Sequence, residues 1–162
     1  MILLLRSLIV YGSHHHGNTK KLAAHLAACY DITLINAEET DAIPFASYDL
    51  IGFASGMDFG GFYPSVIRLA LMLPPGKMVY SFYTCARDQA AYGLQIREIA
   101  EAAGCHFLGK FGCKGYNTYG PLKLIGGMNR HHPDSTDLQA ASSFYEQILA
   151  AAAALLSAAQ EA

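Results

Sequence analysis

The segment Ser13–Thr19 places hydroxyl, imidazole, glycine and amide groups between an apolar run and an amphipathic stretch. Where a strand passes through such a loop into a helix, the first N–H groups of the helix stay unpaired and its dipole favours an anion. The hydroxyls of Ser13 and Thr19 can donate to phosphate oxygens, Gly17 permits close backbone approach, and the Asn18 amide can hold the turn. Because neither G-x-G-x-x-G nor Gly-Lys-Ser/Thr is present, the segment predicts a phosphate cradle for a mononucleotide. The alternative is an ordinary strand-to-helix turn capped by Asn18 or Thr19.

Three consecutive histidines, His14, His15 and His16, form the centre of this segment. Neighbouring residues in a loop rarely all face one point, and metal sites usually add ligands from elsewhere in the chain. We therefore predict no metal here, but backbone N–H groups that face phosphate and one or two rings that cap the pocket. If an imidazole reaches the phosphate, binding should strengthen as the pH falls through roughly 6–7.

Two later loops carry groups suited to a flat ring. The segment Ser55–Tyr63 combines glycines with aromatic residues, which supply backbone polar groups for the edge of an isoalloxazine and apolar surface for its faces. The alternative is a mobile surface loop in which Phe59 and Phe62 pack into the core. In the ring interpretation, the predicted contacts of this loop are Ser55, Gly56, Met57, Asp58 and Phe59.

The third loop contains Thr84, Cys85 and Ala86, which are predicted to face the pyrimidine side of such a ring. A phosphatase-like role for Cys85 would require five residues between the cysteine and an arginine, and Arg87 follows too soon. We therefore expect a buried thiol without a chemical role, and we assign no catalytic residue. Tyr92 is also included among the predicted cofactor contacts.

Short apolar runs alternate with helical patterns along the chain, which predicts a parallel sheet covered on both faces. Strands are predicted at about Leu5–Tyr11, Ile32–Ile35, Asp49–Ala54, Met78–Tyr83 and His106–Gly112. Helices are predicted at about Thr19–Cys29, from Pro64, at Ala90–Ala103 and at Ser135–Ala158. The expected architecture is an α/β three-layer sandwich with a five-stranded parallel sheet of order 2-1-3-4-5, in which ligands bind beyond the carboxyl ends of the strands. The three loops should therefore converge.

Composition narrows the class of protein. Hydrophobic residues make up 52% of the 162 residues and charged residues 15%, which predicts a single packed domain over residues 1–162. The net charge of −2 gives no basic footprint for nucleic acid, and no apolar run reaches the ~20 residues of a membrane span. Arg6 interrupts the apolar start, so we expect no leader. Four cysteines without a C-x-x-C pair indicate a cytoplasmic protein.

The three loops, in this order, resemble the flavodoxin family, and more closely its short members with an S-x-x-x-G-N-T phosphate loop. The loop Ser13–Thr19 is one residue longer than the familiar T-x-T-G-N-T pattern, and Gly126–Asp134 looks like a stretch that these proteins carry before the last helix. The resemblance implies FMN, with its phosphate at Ser13–Thr19 and its ring between Ser55–Phe59 and Thr84–Ala86. Since the chain has no tryptophan, Met, Phe or Tyr must stack on the ring.

Two functions are compatible with a bound flavin. The first is an electron carrier that serves a redox partner protein or a small electron acceptor, and the absence of insertions favours it. The alternative is an NAD(P)H-dependent flavin or quinone reductase, which the weak net charge and the glycine-rich late loop favour. In that enzyme Tyr92, Tyr116, Tyr119 and the loop Lys114–Asn129 would wall a substrate space, although such tyrosines also serve as packing residues. A phosphoacceptor domain of the same topology would need clustered acids where Gly12–His14 stands.

Overall fold

The computed structural model describes residues 4–14, 16–118 and 120–161. The parallel strands follow the order β2-β1-β3-β5-β6, and the short β4 pairs antiparallel with the end of β3. Without β4, the order is the predicted 2-1-3-4-5. The strands are β1 (Ser7–Gly12), β2 (Ile32–Asn36), β3 (Leu50–Asp58), β4 (Gly61–Phe62), β5 (Met78–Cys85) and β6 (His106–Lys114).

Four α-helices cover the two faces of the sheet. They are α1 (Asn18–Cys29), α2 (Pro64–Ala70), α3 (Leu94–Ala102) and α4 (Ser135–Gln160), with short 3₁₀ turns at Ala37–Glu39, Phe45–Ser47 and Gly120–Ile125. Helices α1 and α4 pack on one face, whereas α2 and α3 pack on the other. No helix among the described residues is long and apolar enough to cross a bilayer.

Burial on both faces explains the continuous apolar runs of the central strands. Every residue of β1 and β5 is buried, because helices cover both sides of a parallel sheet. Successive side chains of a strand point to opposite faces. In β1, Ile9 therefore joins the core beneath α1 and α4, whereas Val10 joins the core beneath α2 and α3.

The main departure from the predicted elements lies after β3. The sequence predicts that this strand ends at Ala54, but it continues to Asp58 because its end pairs with β4 in a hairpin. At the tip, Phe59 and Gly60 both have positive φ, 49° and 80°, which is the conformation of a type I′ turn. A Phe-Gly pair lacks the Asn-Gly or Asp-Gly signature of this turn, so no local pattern predicts a hairpin here.

The start of α3 also differs. The sequence predicts a helix from Ala90, whereas α3 begins at Leu94 after Gly93, which has a φ of 81°. The ammonium group of Lys110 in β6 donates to the carbonyl oxygens of Ala90 and Tyr92 at 2.6 and 2.7 Å. These contacts hold the preceding segment as a turn at the edge of the sheet.

Candidate functional site

A cleft of about 190 Å³ lies at the carboxyl ends of the strands. The loops after β1, β3 and β5 meet there, as predicted, and the segment after β6 provides a further side. From the first loop, the cleft is lined by Ser13, His14, Asn18 and Thr19.

The first loop enters α1 through two residues in the left-handed region. His16 and Gly17 have φ values of 54° and 65°, and Gly17 gives the helix no side-chain cap. Apart from its two chain neighbours, no described residue has an atom within 4 Å of the position that a Gly17 Cβ would take. The Ser13 hydroxyl accepts from the backbone N–H of Lys20 at 3.2 Å, which leaves its own proton available. An uncapped helix start with open space above it suits an anion.

Two threonine hydroxyls pair at the base of the cleft. The Oγ1 atoms of Thr19 and Thr84 lie 2.9 Å apart, both side chains are buried, and both residues line the cleft. Their mutual hydrogen bond uses one hydroxyl proton, so the other can be donated to a ligand. This bond ties the start of α1 to the end of β5.

The β3–β4 hairpin forms one wall through Gly56, Met57, Asp58 and Phe59, and Tyr63 lies behind it. Phe59 is 93% exposed at the tip whereas Phe62 is 5% exposed, so only Phe62 packs into the core. The tyrosine ring fills the space beside Gly56, where a Cβ would collide with the phenol group.

Ser55 lies under this wall rather than in the cleft lining. It is fully buried, and its hydroxyl donates to the Gly56 carbonyl oxygen at 2.6 Å and accepts from the Tyr63 N–H at 2.9 Å. The first bond fixes the orientation of the Gly56 peptide, and the second joins the two arms of the hairpin.

His14 connects the first loop to the hairpin side. Its ring stacks on Tyr63 with a centroid distance of 4.1 Å, and its Nε2 lies 2.8 Å from a Glu38 carboxylate oxygen. The Ser65 hydroxyl donates to the same oxygen at 2.6 Å. The hydrogen bonds from Ser65 and His14 lower the pKa of Glu38. Burial, with a smaller effect of Asp58, raises the pKa of Tyr63, so this phenol stays neutral at physiological pH.

In the third loop, Thr84, Cys85 and Ala86 line the cleft. Burial, with a contribution from Asp88, raises the pKa of Cys85 to about 11. A thiol that stays protonated at neutral pH is a poor nucleophile. Tyr92 does not line the cleft: its ring meets Tyr83 edge-on at 5.8 Å.

The wall after β6 belongs to the segment 115–133, which we call the strap segment; Tyr119, a predicted wall residue of the reductase, lies outside the described residues. Gly115, Tyr116 and Asn117 line the cleft. The Asn18 amide donates to the Tyr116 carbonyl oxygen at 2.7 Å. A Cβ added at Gly115 would lie only 2.7 Å from the Nδ2 atom of the same Asn18 amide. The strap segment is therefore pressed directly against the start of α1.

Three more contacts fix the strap segment. The His16 ring lies 4.1 Å from the Tyr116 ring, and its Nε2 lies 3.0 Å from the Thr118 hydroxyl. On the other side, the Asn129 amide donates to the Ala86 carbonyl oxygen at 2.7 Å. The strap segment thus connects the first loop with the third.

We next compared the chain with known proteins. No family model matches it. Uncharacterized protein MJ0298 of Methanocaldococcus jannaschii is 34% identical over 148 residues, which cover 90% of this chain and 99% of that protein. The chain belongs to the same family as this protein.

Solved structures identify the fold. A short-chain flavodoxin associated with a bacterial microcompartment has a TM-score of 0.64 at 13% identity and covers 90% of this chain and 97% of its own. A flavoprotein from Lactobacillus acidophilus, solved in complex with FMN, has a TM-score of 0.53 at 22% identity and covers 67% and 93%. Rubredoxin oxygen:oxidoreductase from Desulfovibrio gigas has a TM-score of 0.66 at 14% identity, and the match covers 93% of this chain and 37% of that protein. At these identities the similarity shows a flavodoxin-like fold.

Most of the residues predicted to contact the cofactor line the cleft of this flavodoxin-like chain. The hairpin side and the strap segment contribute further lining residues. The predicted residues that line it are Ser13, His14, Asn18, Thr19, Gly56, Met57, Asp58, Phe59, Thr84, Cys85 and Ala86. His16, Gly17, Ser55 and Tyr92 were predicted but lie outside the lining, and His15 lies outside the described residues. The cleft lining also contains four residues for which no cofactor contact is predicted from the sequence: Tyr63, Gly115, Tyr116 and Asn117. The signal for the last three was the position of their loop after the fifth parallel strand.

The described histidines of the first loop diverge, His14 toward Glu38 and His16 toward Thr118. Elsewhere, ligand atoms of His132, Asp134 and Asp137 lie within 4.8 Å of one another. The two aspartates form the capping box of α4, and Asp137 Oδ2 also lies 2.6 Å from His132 Nδ1. Helix capping and the histidine contact account for this cluster.

Proposed function

We propose that the protein binds FMN in the cleft and transfers electrons through the flavin. The observation that carries this proposal is the meeting of three loops around an uncapped helix start and an aromatic wall. The flavodoxin-like fold supports it, as does the FMN complex of the related Lactobacillus acidophilus flavoprotein.

The phosphate end of the cofactor fits the first loop. The free hydroxyl proton of Ser13, the one left over between Thr19 and Thr84, and the helix N–H groups are suitable donors to phosphate oxygens. Open space over Gly17 leaves room for the anion. This set of donors needs no lysine or arginine in the cradle.

The ring end fits the hairpin wall. In a chain without tryptophan, Met57, Phe59, Tyr63 and Tyr116 are the large apolar side chains of the cleft lining, as the ring interpretation requires. Backbone groups of Gly56 and Ala86 are available to its polar edge, and Ser55 holds the Gly56 peptide in one orientation. When bound, FMN supplies one- and two-electron transfer chemistry.

The described elements favour a carrier over a reductase. They are the flavodoxin-like sheet, the four helices that cover it and short 3₁₀ turns. Among the described residues, no inserted element encloses a separate space for a second substrate. We infer that the electrons leave through the protein surface to a partner.

Flavin binding is tested by titrating the protein with FMN and following flavin fluorescence. The double variant Thr19→Val/Thr84→Val removes both paired hydroxyls and keeps the side-chain shapes, so folding should be retained. We expect its Kd for FMN to rise about tenfold to a hundredfold, since each hydrogen bond to a charged group contributes about 1.5–3 kcal/mol. Thr33→Val, on the exposed side of β2, is the matched control. Absence of FMN binding to the unmodified protein would contradict the proposal.

A second measurement separates the carrier from the reductase. NADPH is added to the FMN-loaded protein without oxygen, and the flavin absorption is recorded, with photoreduction as a positive control. The carrier predicts no bleaching by NADPH within minutes, whereas direct bleaching would establish the reductase instead.

A further inference from the structure

The two sides of the cleft carry charge of opposite sign. Residues 22–67, which include β2, β3 and the hairpin, contain six acidic residues and no lysine or arginine. Residues 102–133, which include β6 and nearly all of the strap segment, contain four basic residues and no acid. Because β2 and β6 are the two edges of the parallel sheet, these segments lie on opposite sides of the molecule.

The basic charges of the strap side are available to a partner. Lys114, Lys123 and Arg130 are exposed, and none of them forms an ion pair with any residue in the described part of the chain. On the acidic side, Glu38 pairs with His14 and Asp41 with Arg68, whereas Asp58 in the cleft lining forms no ion pair with a described residue. Both sides of the cleft therefore present unpaired charge, and on the strap side that charge is cationic.

Apolar side chains stand among these basic residues. Leu124 is 90% exposed, Ile125 is 77% exposed and Met128 is 42% exposed. Clustered exposed apolar residues with a charged rim are typical of protein interaction sites. We call the five residues Lys123, Leu124, Ile125, Met128 and Arg130 the strap face.

The strap face is fixed to the mouth of the cleft. Met128 and Asn117 exchange two backbone hydrogen bonds, of 2.7 and 2.9 Å, and Asn117 lines the cleft. The next residue, Asn129, holds the carbonyl of Ala86, which also lines the cleft. A protein docked on this face would lie directly beside a ligand in the cleft.

We propose that the strap face docks a small acidic electron-carrier protein, an iron–sulfur protein of the ferredoxin type. The identity of this partner as an electron carrier rests on the proposed function, whereas its acidic charge follows from the basic face. Opposite charges steer the encounter, and the acidic side of the cleft repels the same partner and so sets its orientation.

The exchange is balanced as two encounters. In each one, a reduced iron–sulfur centre loses one electron and the bound flavin gains one. Two encounters complete the two-electron reduction of the flavin, which takes two protons from solvent. Electron flow in the opposite direction reverses each step.

An anionic membrane shares some of this chemistry. Each lysine or arginine near an anionic surface contributes about 1 kcal/mol, and stable anchoring needs more than a few such residues and three apolar side chains. The attachment of the strap face to the cleft mouth instead favours a partner that exchanges electrons there.

The test measures binding with a plant-type [2Fe–2S] ferredoxin as the acidic probe and cytochrome c as the basic control. Binding to the immobilised full chain is recorded with and without FMN, at about 20 mM and about 200 mM salt, a range over which screening of exposed charges increases strongly. We expect micromolar binding of ferredoxin at low salt, weakened about tenfold or more at high salt. We expect cytochrome c not to compete for this site.

Two variants address the strap face. Lys123→Glu/Arg130→Glu should weaken ferredoxin binding about tenfold or more, and Leu124→Ser/Ile125→Ser should weaken it with little change in salt dependence. The matched controls are Arg97→Glu on α3 and Leu71→Ser, 68% exposed after α2; both should stay within about twofold of the unmodified protein. Thermal unfolding of each variant verifies folding.

Two results would overturn the docking proposal: equal ferredoxin binding by the charge-reversed variant, or binding of phosphatidylserine vesicles with no binding of ferredoxin. The measurement without FMN keeps the two proposals separate. Docking without flavin binding would contradict only the proposed function, whereas flavin binding without docking would contradict only the strap-face proposal.

Discussion

The β3–β4 hairpin and the strap segment bound the same cleft, but strand pairing holds the first, whereas mainly side-chain contacts hold the second. The hairpin is an extension of a central strand, and its pairs Met57–Phe62 and Asp58–Gly61 continue the sheet. The strap segment has one isolated bridge, between Asn117 and Met128, in its described residues. It is attached to the rest of the molecule by a backbone bond, from the Gly115 N–H to the Cys85 carbonyl oxygen, and by side-chain contacts of Asn18, His16, Lys21 and Asn129.

This difference makes the hairpin the more rigid wall and the strap segment the more adaptable one. A wall that continues the sheet shares the stability of the core, whereas a wall held by a few side-chain bonds opens locally at lower cost. The first loop is joined to both, through His14 to the hairpin side and through His16 to the strap side. We therefore expect changes in the hairpin to affect the whole fold and changes in the strap contacts to act locally.

The largest effect should follow Gly56→Ala in the hairpin wall. The added Cβ collides with the phenol of Tyr63, and overpacking of this kind costs about 1–3 kcal/mol of unfolding free energy. Since the displaced ring belongs to the cleft wall, FMN affinity should fall as well, by up to about a hundredfold. Urea unfolding and FMN titration measure the two effects.

The same hairpin provides the control for this variant. At Gly61 a Cβ would meet only Gln95 Oε1 at 3.8 Å and Asp58 O at 3.9 Å, which is ordinary contact. Gly61→Ala should therefore leave the free energy of unfolding nearly unchanged and the Kd for FMN within about twofold of that of the unmodified protein. Equal losses in the two variants would show that the hairpin, and not the tyrosine contact, governs the site.

A smaller effect is expected for Asn18→Ala, which removes one of the two side-chain bonds from α1 to the strap segment, the other being that of Lys21 to Pro133. The Tyr116 carbonyl loses its donor, which costs about 1–2 kcal/mol, and the strap segment should open more often. Hydrogen exchange should accelerate in residues 115–118 and stay unchanged in β3, and FMN affinity should fall about tenfold. Asn36→Ala, at a 3₁₀ turn after β2, is the control. Unchanged exchange in the strap segment would contradict this view of its attachment.

The sequence predicts the regular parts of the molecule better than the irregular ones. The order of the parallel strands and the convergence of three loops follow from alternating apolar runs and from the rule that ligands bind at the carboxyl ends. The hairpin could not be predicted, because Phe59 adopts positive φ without the usual turn residues. The strap contacts depend on the pairing of Asn18 with Tyr116, 98 residues away, and local patterns contain no information about such distant pairs.

The residue types in the first loop were also less informative than their positions. His14 and His16 are identical side chains two residues apart, yet they contact Glu38 and Thr118 on different sides of the cleft. Loop residues with positive φ, here His16 and Gly17, turn neighbouring side chains in different directions. A run of one residue type therefore does not predict a common target.

The smallest effect concerns the contact between His14 and Glu38 on the hairpin side. Hydrogen bonds from Ser65 and His14 lower the pKa of Glu38 in the folded protein, so its ionised form stabilises the fold. This contribution is present above the usual glutamate pKa of about 4.3 and is lost as the pH falls through the lower folded value. Because both side chains are nearly half exposed, solvent screening keeps the effect below about 1 kcal/mol.

Glu38→Gln tests this contribution through its pH dependence. At pH 7 the variant should be slightly less stable to urea than the unmodified protein, and the two should converge as the pH decreases toward about 3. Glu39→Gln is the control, since that side chain accepts from Asn36 instead of contacting His14. A stability difference that stays constant from pH 3 to pH 7 would mean that the packing of His14 on Tyr63, and not the charge of Glu38, joins the first loop to the hairpin wall.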